Sequence, residues 1–241
     1  MKYAIIAAGE GSRLTSEGIS VPKPLVEIAG ESLIDRLIRI FMDNRADEIV
    51  CICNDRTAQV ASHLATLQRD GLRGRPVPLR FLVKSTPSSM HSFFEISKYL
   101  ADDKFILATV DTIFPEQEFA GFVSDFIASE GDALMGVTRY VDDEKPLYVK
   151  TDGDMNITEF RDEPGSCPFV SGGIYGLNMS AIYTLNNCIA RSESRMRNFQ
   201  RALLADGRKV KAWEFSTVLD IDHTDDIRKA EILLASAQDL H

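Results

Sequence analysis

The chain has few cysteines and lacks the spacing that most often signals a zinc or redox site. Only four occur in 241 residues, at Cys51, Cys53, Cys167 and Cys188, and none forms a Cys-x-x-Cys pair. This argues against structural zinc and against thioredoxin-like chemistry. Cys51 and Cys53 alternate on a predicted strand, which indicates core packing, and a reduced cytoplasm is the expected location.

Long hydrophobic runs are also missing near the start of the chain. The first apolar stretch covers only about five residues, far below the roughly 18 that suggest a membrane span. We therefore expect neither a signal peptide nor a transmembrane segment. Hydrophobic residues still make up 44% of the sequence, which is ordinary for a globular domain with a sizeable core.

Positive charge is scarce relative to negative charge. Lysine and arginine together number 27 against 36 aspartates and glutamates, which gives a formal net charge of -9. This balance argues against a general affinity for nucleic acid or for an anionic membrane, so neither is an expected partner. Any anionic ligand must be held by local positive groups against an unfavourable overall field.

Strand and helix signals alternate through the first two thirds of the chain. Strands are predicted at 2–7, 48–53, 79–84, 104–114 and 132–138, with helices at 31–43, 57–69, 88–100 and 116–129. Repeated βαβ units imply a mostly parallel sheet that is covered by helices on both faces. We therefore expect an α/β fold, a three-layer α/β/α sandwich with a Rossmann-like mixed central sheet. Its site should lie at the carboxyl ends of the strands.

The pattern changes after Arg139. Two short strands surround the turn signal at 152–154, and a glycine-containing strand is predicted at 168–178. Further elements follow: helices at 180–190 and 194–205, a strand at 209–215 and a closing helix at about 224–240. No long Pro/Gly/Ser linker separates these parts. We expect a single domain over residues 1–241, with a partly antiparallel portion at about 140–178.

The loop after the first predicted strand concentrates small and cationic residues. It contains Gly9, Gly11 and Arg13, and then Lys23 between two prolines. Glycines in such a turn let backbone N–H groups approach phosphate oxygens, and an arginine adds a bidentate cation. A dinucleotide fingerprint would need glycine where Leu14 stands, and a Walker loop would need Gly-Lys-Ser/Thr, which is absent.

The loop resembles the signature of the sugar nucleotidyltransferases, Gly-x-Gly-x-Arg-Leu followed by Pro-Lys-Pro-Leu. The resemblance implies a fold of the nucleotide-diphospho-sugar transferase type. It also implies an enzyme that joins a nucleoside triphosphate to a sugar 1-phosphate and releases pyrophosphate. Arg13 and Lys23 would be catalytic. The predicted nucleotide-binding residues are Ala7, Ala8, Gly9, Gly11, Ser88 and Ser89.

The same resemblance implies Mg²⁺ as the cofactor, held by acidic residues at strand ends. The candidates are Asp111, after the predicted central strand, and Asp220 and Asp222 in the segment VLDIDHT. Hard oxygen ligands from separate strands suit Mg²⁺ bound to substrate phosphates. Strand alternation would place Asp220 and Asp222 on one face, and alignment with the family favours Asp220 slightly. Such clustered carboxylates should repel one another without metal.

The acceptor region departs from the family pattern. Gly172 and Gly173 match its small-residue strand beneath the sugar, and Asp162 begins Asp-Glu-Pro where many members have Glu-Lys-Pro. The missing lysine indicates an acceptor pocket unlike that of the best-known glucose-1-phosphate enzymes. Neither the base nor the acceptor can be identified from the residues alone, and the oligomeric state is equally open.

Three alternatives remain at this stage. One is a cytidylyltransferase that acts on phosphocholine or another non-sugar phosphate. A second is a metal-dependent glycosyltransferase of the same architecture, which the Arg13-to-Lys23 signature disfavours. A third is a non-catalytic nucleotide-sensing domain, which the joint presence of Arg13, Lys23 and Asp111 disfavours.

Overall fold

The structure is a computed structural model that describes residues 1–56, 58–100 and 104–238. The strands are β1 (Lys2–Ala7), β2 (Glu27–Ile28), β3 (Glu31–Ser32), β4 (Glu48–Cys53), β5 (Leu79–Val83), β6 (Lys104–Thr109), β7 (Thr112–Ile113), β8 (Ala133–Thr138), β9 (Tyr148–Thr151), β10 (Ile157–Arg161), β11 (Phe169–Asn178), β12 (Val210–Phe215) and β13 (Leu219–Asp220). The helices are α1 (Ser12–Ser16), α2 (Leu33–Asp43), α3 (Ala58–Asp70), α4 (Ser89–Ser97), α5 (Glu116–Ala128), α6 (Met179–Ala190), α7 (Met196–Ala205) and α8 (Thr224–Gln238).

The central sheet is mixed. Its main path runs β10-β9-β11-β6-β1-β4-β5; off this path, β8 pairs with β11, and β12 pairs with β8. β1 lies parallel to both β4 and β6, whereas β11 runs antiparallel to β6, β8 and β9. The parallel strands β1, β4, β5 and β6 therefore all end at the same edge of the sheet. The antiparallel strands that come later in the chain extend the sheet beside β6.

Alternation along β1 separates the two faces of this sheet. Tyr3 and Ile5 pack into one hydrophobic cluster with α2, α3 and α5. Ala4 and Ile6 pack into a second cluster with α4, α6 and α7. All four side chains are buried, so the strand contacts helices on both sides, as a parallel strand in the middle of a sandwich must. The predicted three-layer α/β/α fold with a mixed sheet is confirmed.

Two predicted elements differ in a way that matters for the site. The opening loop contains the short helix α1 and a 3₁₀ turn at Lys23–Leu25. The predicted strand 104–114 is split, because β6 ends at Thr109 and β7 leaves the main sheet to pair with β13. The backbone N–H of Ile221 donates to the Asp111 carbonyl at 3.0 Å. This small second sheet brings the C-terminal segment onto the end of β6.

The remaining predicted boundaries lie within a few residues of the observed ones. Helix α4 ends at Ser97, earlier than the predicted 88–100, and α3 and α8 match the predicted helices at 57–69 and 224–240. Residue 57, the first of the predicted helix 57–69, lies outside the described residues. So do residues 239–240, the last two of the predicted helix 224–240. Among the described helices, none combines the length and apolar character that crossing a membrane requires.

Candidate active site

The loop predicted to bind phosphate, residues 8–25, begins directly where β1 ends, and we call it the phosphate loop. Gly11 has φ +62°, in the left-handed region that favours glycine, and a Cβ built there would lie 2.9 Å from the Lys23 Cβ. Gly9 is different, because nothing lies within 4 Å of a Cβ built on it. Gly11 is thus required by the protein itself, whereas the space beside Gly9 is free of protein atoms.

Lys23 is the central cation of the site. Pro22 fixes the entry to the 3₁₀ turn, and the Leu25 N–H closes it by donating to the Pro22 carbonyl at 2.8 Å. The Lys23 ammonium is 8% exposed and lies 2.5 Å from Oδ2 of Asp111 and 2.8 Å from Oδ1 of Asp222. Burial alone would lower the pKa of Lys23, but the two carboxylates outweigh it and hold that pKa above its ordinary value.

Arg13 links the phosphate loop to two further carboxylates. Its Nη1 lies 2.8 Å from Oδ2 of Asp222, and its Nη2 lies 3.7 Å from Oε2 of Glu144. Asp222 therefore contacts both predicted catalytic cations through different oxygens. Glu144 was not predicted from the sequence, since it belongs to the acidic run at 142–144, which is typical of a solvated loop.

The three predicted metal-binding carboxylates occupy two different environments. Asp111 and Asp222 both face the Lys23 ammonium. Asp220 instead accepts a hydrogen bond from the Thr112 hydroxyl at 3.0 Å. Strand β13 ends at Asp220, so the alternation expected to align it with Asp222 does not extend that far. The structure pairs Asp222 with Asp111, although the family alignment had slightly favoured Asp220.

Asp220 is a partly buried carboxyl at the rim of this arrangement. Burial, together with the nearby negative charge of Asp111, raises the pKa of Asp220 from 3.8 to about 8. Thr112 partly offsets this effect by donating its hydroxyl hydrogen. Among residues 1–56, 58–100 and 104–238, no group of three or more His, Cys, Asp or Glu side chains is arranged to hold a metal.

A cleft of about 470 Å³ lies over the carboxyl ends of β1, β4 and β6. Five of the six residues predicted to bind nucleotide line it: Ala8, Gly9, Gly11, Ser88 and Ser89. The sixth, Ala7, does not line the cleft, because its side chain is buried within β1. Ser88 is already engaged, since its hydroxyl lies 2.9 Å from Nδ1 of His91 and accepts the N–H of Arg195 at 3.2 Å.

A second cavity of about 320 Å³ adjoins the first, and Arg13 and Asp222 line both. The predicted acceptor residue Gly172 is part of its wall. Gly173 has φ +71°, and a Cβ there would lie 2.8 Å from the Oγ1 atoms of Thr109 and Thr112. Glycine at 173 is thus needed to let β11 pass close to the end of β6.

The predicted acceptor residue Asp162 is placed elsewhere. It lines neither cavity, and its carboxylate pairs with Arg197 at 2.6 Å and Arg201 at 2.8 Å. These contacts tie the end of β10 to α7. Sequence reasoning missed Lys229 on the second cavity, whose ammonium lies 2.6 Å from Asp142. Nothing in the sequence distinguishes this lysine on an amphipathic helix from one that faces solvent, so its place on the cavity wall could not be predicted.

A model of the nucleotidyl transferase family matches residues 2–236, and the chain belongs to that family. It is 27% identical over 234 residues to the bifunctional IPC transferase and DIPP synthase of Rubrobacter xylanophilus. The matched segment covers 95% of this chain and 50% of that protein. It is also 23% identical over 205 residues to glucose-1-phosphate cytidylyltransferase of Salmonella typhimurium, covering 78% and 79% of the two chains.

Solved structures share the fold. The inositol-1-phosphate CTP transferase from T. maritima superposes with a TM-score of 0.79 at 20% identity, covering 98% of this chain and 96% of that one. A putative glucose-1-phosphate thymidylyltransferase from Bacillus anthracis, in complex with a sucrose, gives a TM-score of 0.81 at 20% identity, with 97% and 94% covered. The chain spans about half the length of its bifunctional relatives.

Proposed function

We propose that this chain is a Mg²⁺-dependent nucleotidyltransferase that joins a nucleoside triphosphate to a sugar 1-phosphate or a similar cyclic polyol phosphate. The supporting observation is that two cavities adjoin at one charged junction. Arg13 and Asp222 line both cavities, and Lys23 and Asp111 line the larger one beside them. A triphosphate in the larger cavity and an acceptor phosphate in the smaller one would meet beside Arg13 and Lys23.

In the proposed reaction an acceptor phosphate oxygen attacks the α-phosphorus of the triphosphate. The bond from that phosphorus to the oxygen that bridges to the β-phosphate breaks, and pyrophosphate leaves. The acceptor phosphate is already anionic, so no protein nucleophile is required. Lys23 is held by its partners in one position and would stabilise the charge that builds up between the two phosphates. Arg13 would orient the triphosphate by its two-pronged hydrogen bonding.

The carboxylates present fit a divalent cation. Asp111 and Asp222 each direct an oxygen at a single positive charge, the Lys23 ammonium, at 2.5 and 2.8 Å. Two carboxylates with substrate phosphates and water are the ligand set that Mg²⁺ prefers. When bound, Mg²⁺ would supply neutralisation of the phosphate charge. Asp111 and Asp222 would hold it, and their present contacts with Lys23 and Arg13 would then be shared.

We infer CTP as the preferred nucleotide. The names of the relatives favour it, because one solved structure is an inositol-1-phosphate CTP transferase and one sequence relative is a glucose-1-phosphate cytidylyltransferase. The same names favour a phosphorylated ring polyol as acceptor, either a sugar 1-phosphate or inositol 1-phosphate. The further activity named in the bifunctional relatives is not part of the proposal, since this chain spans only half of their length.

A second candidate function is cytidylyl transfer to a phosphate ester that bears a quaternary ammonium group, such as phosphocholine. The wall of the smaller cavity carries more carboxylates than cations. The cations are Arg13 and Lys229, and the carboxylates are Asp142, Asp143, Glu144, Asp222, Asp225 and Asp226. The quaternary ammonium group of such an acceptor would gain from that field. A neutral polyol would instead use the same oxygens as hydrogen-bond acceptors for its hydroxyl groups.

The test is pyrophosphate release from each of four nucleoside triphosphates with glucose 1-phosphate, inositol 1-phosphate and phosphocholine, with and without Mg²⁺. We expect release with CTP and a ring polyol phosphate, only when Mg²⁺ is present. Preference for phosphocholine would favour the second candidate. Binding of nucleotide without pyrophosphate release from any pair would indicate a non-catalytic sensing domain instead.

A further inference from the structure

The phosphate loop of this chain contains a carboxylate. Glu10 lies between Gly9 and Gly11, and it lines the larger cavity together with them. Its side chain is 56% exposed. A nucleoside triphosphate carries several negative charges, so an uncompensated carboxylate on the cavity wall would repel a triphosphate bound in that cavity. Salt screens charges only over distances beyond about 8 Å at physiological ionic strength.

Arg56, in the loop that follows β4, compensates the negative charge of Glu10. Its Nη1 lies 2.6 Å from Oε1 of Glu10, and Arg56 lines the same cavity. The contact is possible because β1 and β4 are parallel neighbours with Ala7 opposite Cys53, so both loops leave the sheet at the same edge. The pair is exposed and contributes little to stability. Its importance lies in where the two charges sit.

Asn54 ties the same two loops together by its amide. The side-chain nitrogen donates to the Gly9 carbonyl at 3.2 Å and lies 3.4 Å from the Ala8 carbonyl. The side-chain oxygen accepts the Arg56 N–H at 3.1 Å. The Ala8 and Gly9 carbonyls need a hydrogen-bond donor, and the Arg56 N–H needs an acceptor. A side-chain amide supplies both, whereas the carboxylate of an aspartate would place oxygens against the carbonyl oxygens.

We propose that Asn54 and Arg56 are positioning residues for the nucleoside triphosphate. Asn54 fixes the backbone of the phosphate loop, and Arg56 cancels the charge of Glu10 inside it. This inference rests on the proposed function, since it requires the larger cavity to take the triphosphate. Both residues act through the loop, at a distance from the attacking and leaving oxygens, so they affect affinity for the nucleotide more than the rate of the chemical step.

The charge compensation is tested with Arg56→Ala, Glu10→Gln and the double variant of the full chain. Calorimetry with Mg²⁺ and CTP should show about tenfold weaker binding for Arg56→Ala, by unopposed repulsion from Glu10. The double variant should recover to within about twofold of wild type, because the repulsive charge is gone as well. Arg56→Lys should be intermediate. KM for CTP should follow these affinities, with kcat and acceptor KM changed less than about twofold.

Failure to recover in the double variant would overturn the compensation and show that Arg56 contacts the nucleotide itself. Arg69→Ala is the matched control, since Arg69 is an exposed arginine that pairs with its neighbour Asp70 on α3. We expect it to bind CTP like wild type. If wild type binds no nucleoside triphosphate, the proposed function fails; if it binds and Arg56→Ala binds equally well, only the present inference fails.

The amide role is tested by comparing Asn54→Asp with Asn54→Ala. The aspartate should bind CTP more weakly than the alanine, because its carboxylate faces the Ala8 and Gly9 carbonyls and adds charge beside the phosphates. Far-UV circular dichroism and urea unfolding of both variants check that the fold is retained. An aspartate variant with wild-type affinity for CTP would overturn the assignment of Asn54.

Discussion

The Lys23 ammonium lies 2.5 Å from Oδ2 of Asp111, although 88 residues separate them along the chain. This contact, together with that to Asp222, holds a buried cation in one place before any ligand binds. The phosphate loop and the end of β6 are thereby joined by a charge that the sequence shows only as a lysine between prolines.

Lys23→Ala should lower kcat by about 100- to 1000-fold, because a pre-positioned charge at the reacting phosphates is removed. It should also lower the free energy of unfolding by roughly 1–3 kcal/mol, since Asp111 and Asp222 lose their shared cation. Pyrophosphate release and urea unfolding measure the two effects. Lys98→Ala, which removes an exposed lysine paired with Glu95, is the control. A near-normal kcat for Lys23→Ala would contradict the role given to Lys23.

Arg13→Lys should keep the charge and still lose most of the activity. A guanidinium can bind two oxygens through a planar fork, and an ammonium cannot reproduce that geometry. We expect kcat/KM for the nucleoside triphosphate to fall by at least about tenfold, which corresponds to about 1.4 kcal/mol. Steady-state kinetics with the triphosphate varied provide the measurement, and full activity would move Arg13 out of the triphosphate site.

Gly9→Ala and Gly11→Ala should separate binding from folding. Alanine at position 11 must adopt φ +62° and place its Cβ against Lys23. The free energy of unfolding of Gly11→Ala should therefore be lower than that of wild type by about 1 kcal/mol. Alanine at 9 meets no protein atom within 4 Å, so stability should change by less than about 0.5 kcal/mol while KM for the triphosphate rises. Urea unfolding and kinetics of both variants test this. An unaffected KM in Gly9→Ala would mean that nothing approaches the loop there.

Asp111→Asn and Asp222→Asn should each raise the Mg²⁺ concentration needed for half-maximal turnover by at least about tenfold. Asp220→Asn should raise it less, since Asp220 is directed at Thr112. Mg²⁺ titrations of the three variants decide between the carboxylates. An equal effect at Asp220 would make it a ligand, and no effect in any variant would end the two-carboxylate proposal.

The same Asp111→Asn variant should be less stable than wild type without metal. Carboxylates that merely clustered would repel, and their neutralisation would stabilise the fold, as the sequence alone suggests. Lys23 turns this expected gain in stability into a loss, because it lies between Asp111 and Asp222 and loses an ion-pair partner when Asp111 is neutralised. Urea unfolding in EDTA checks the direction, and a gain in stability would show that repulsion dominates.

Asp220 should make the protein less stable as the pH rises. Its pKa is about 8 in the folded chain against an ordinary 3.8, so between those values the folded state binds a proton that the unfolded state has lost. The contribution of Asp220 to the free energy of unfolding therefore falls from about pH 4 to about pH 8.

Asp220→Asn keeps the oxygen that accepts from Thr112 and cannot ionise. Its stability relative to wild type should therefore increase from pH 5 to pH 9, in the absence of metal and nucleotide. Urea unfolding at pH 5, 7 and 9 measures the difference. A constant difference across that range would mean that Asp220 ionises normally in the fold.

The fold was largely predictable because its signals are local. The βαβ alternation, the apolar run of β1 and the glycines of the phosphate loop each lie within a short stretch of sequence. Gly11, Arg13 and Lys23 could be singled out for the same reason, since the family signature that contains them is nearly continuous. Asp111 could be singled out because it follows a strongly apolar strand.

Only the tertiary structure decided which of these groups meet. Asp222 reaches Lys23 because β13 pairs with β7 and then ends, whereas strand periodicity alone would have kept Asp220 and Asp222 equivalent. Glu10 meets Arg56 because two parallel strands release their loops at one edge. Asp162 lies outside both cavities because its partners are on α7, and Arg197 is 35 residues further along the chain. Local sequence fixes which residues are capable of the chemistry, and non-local packing determines which charges become neighbours.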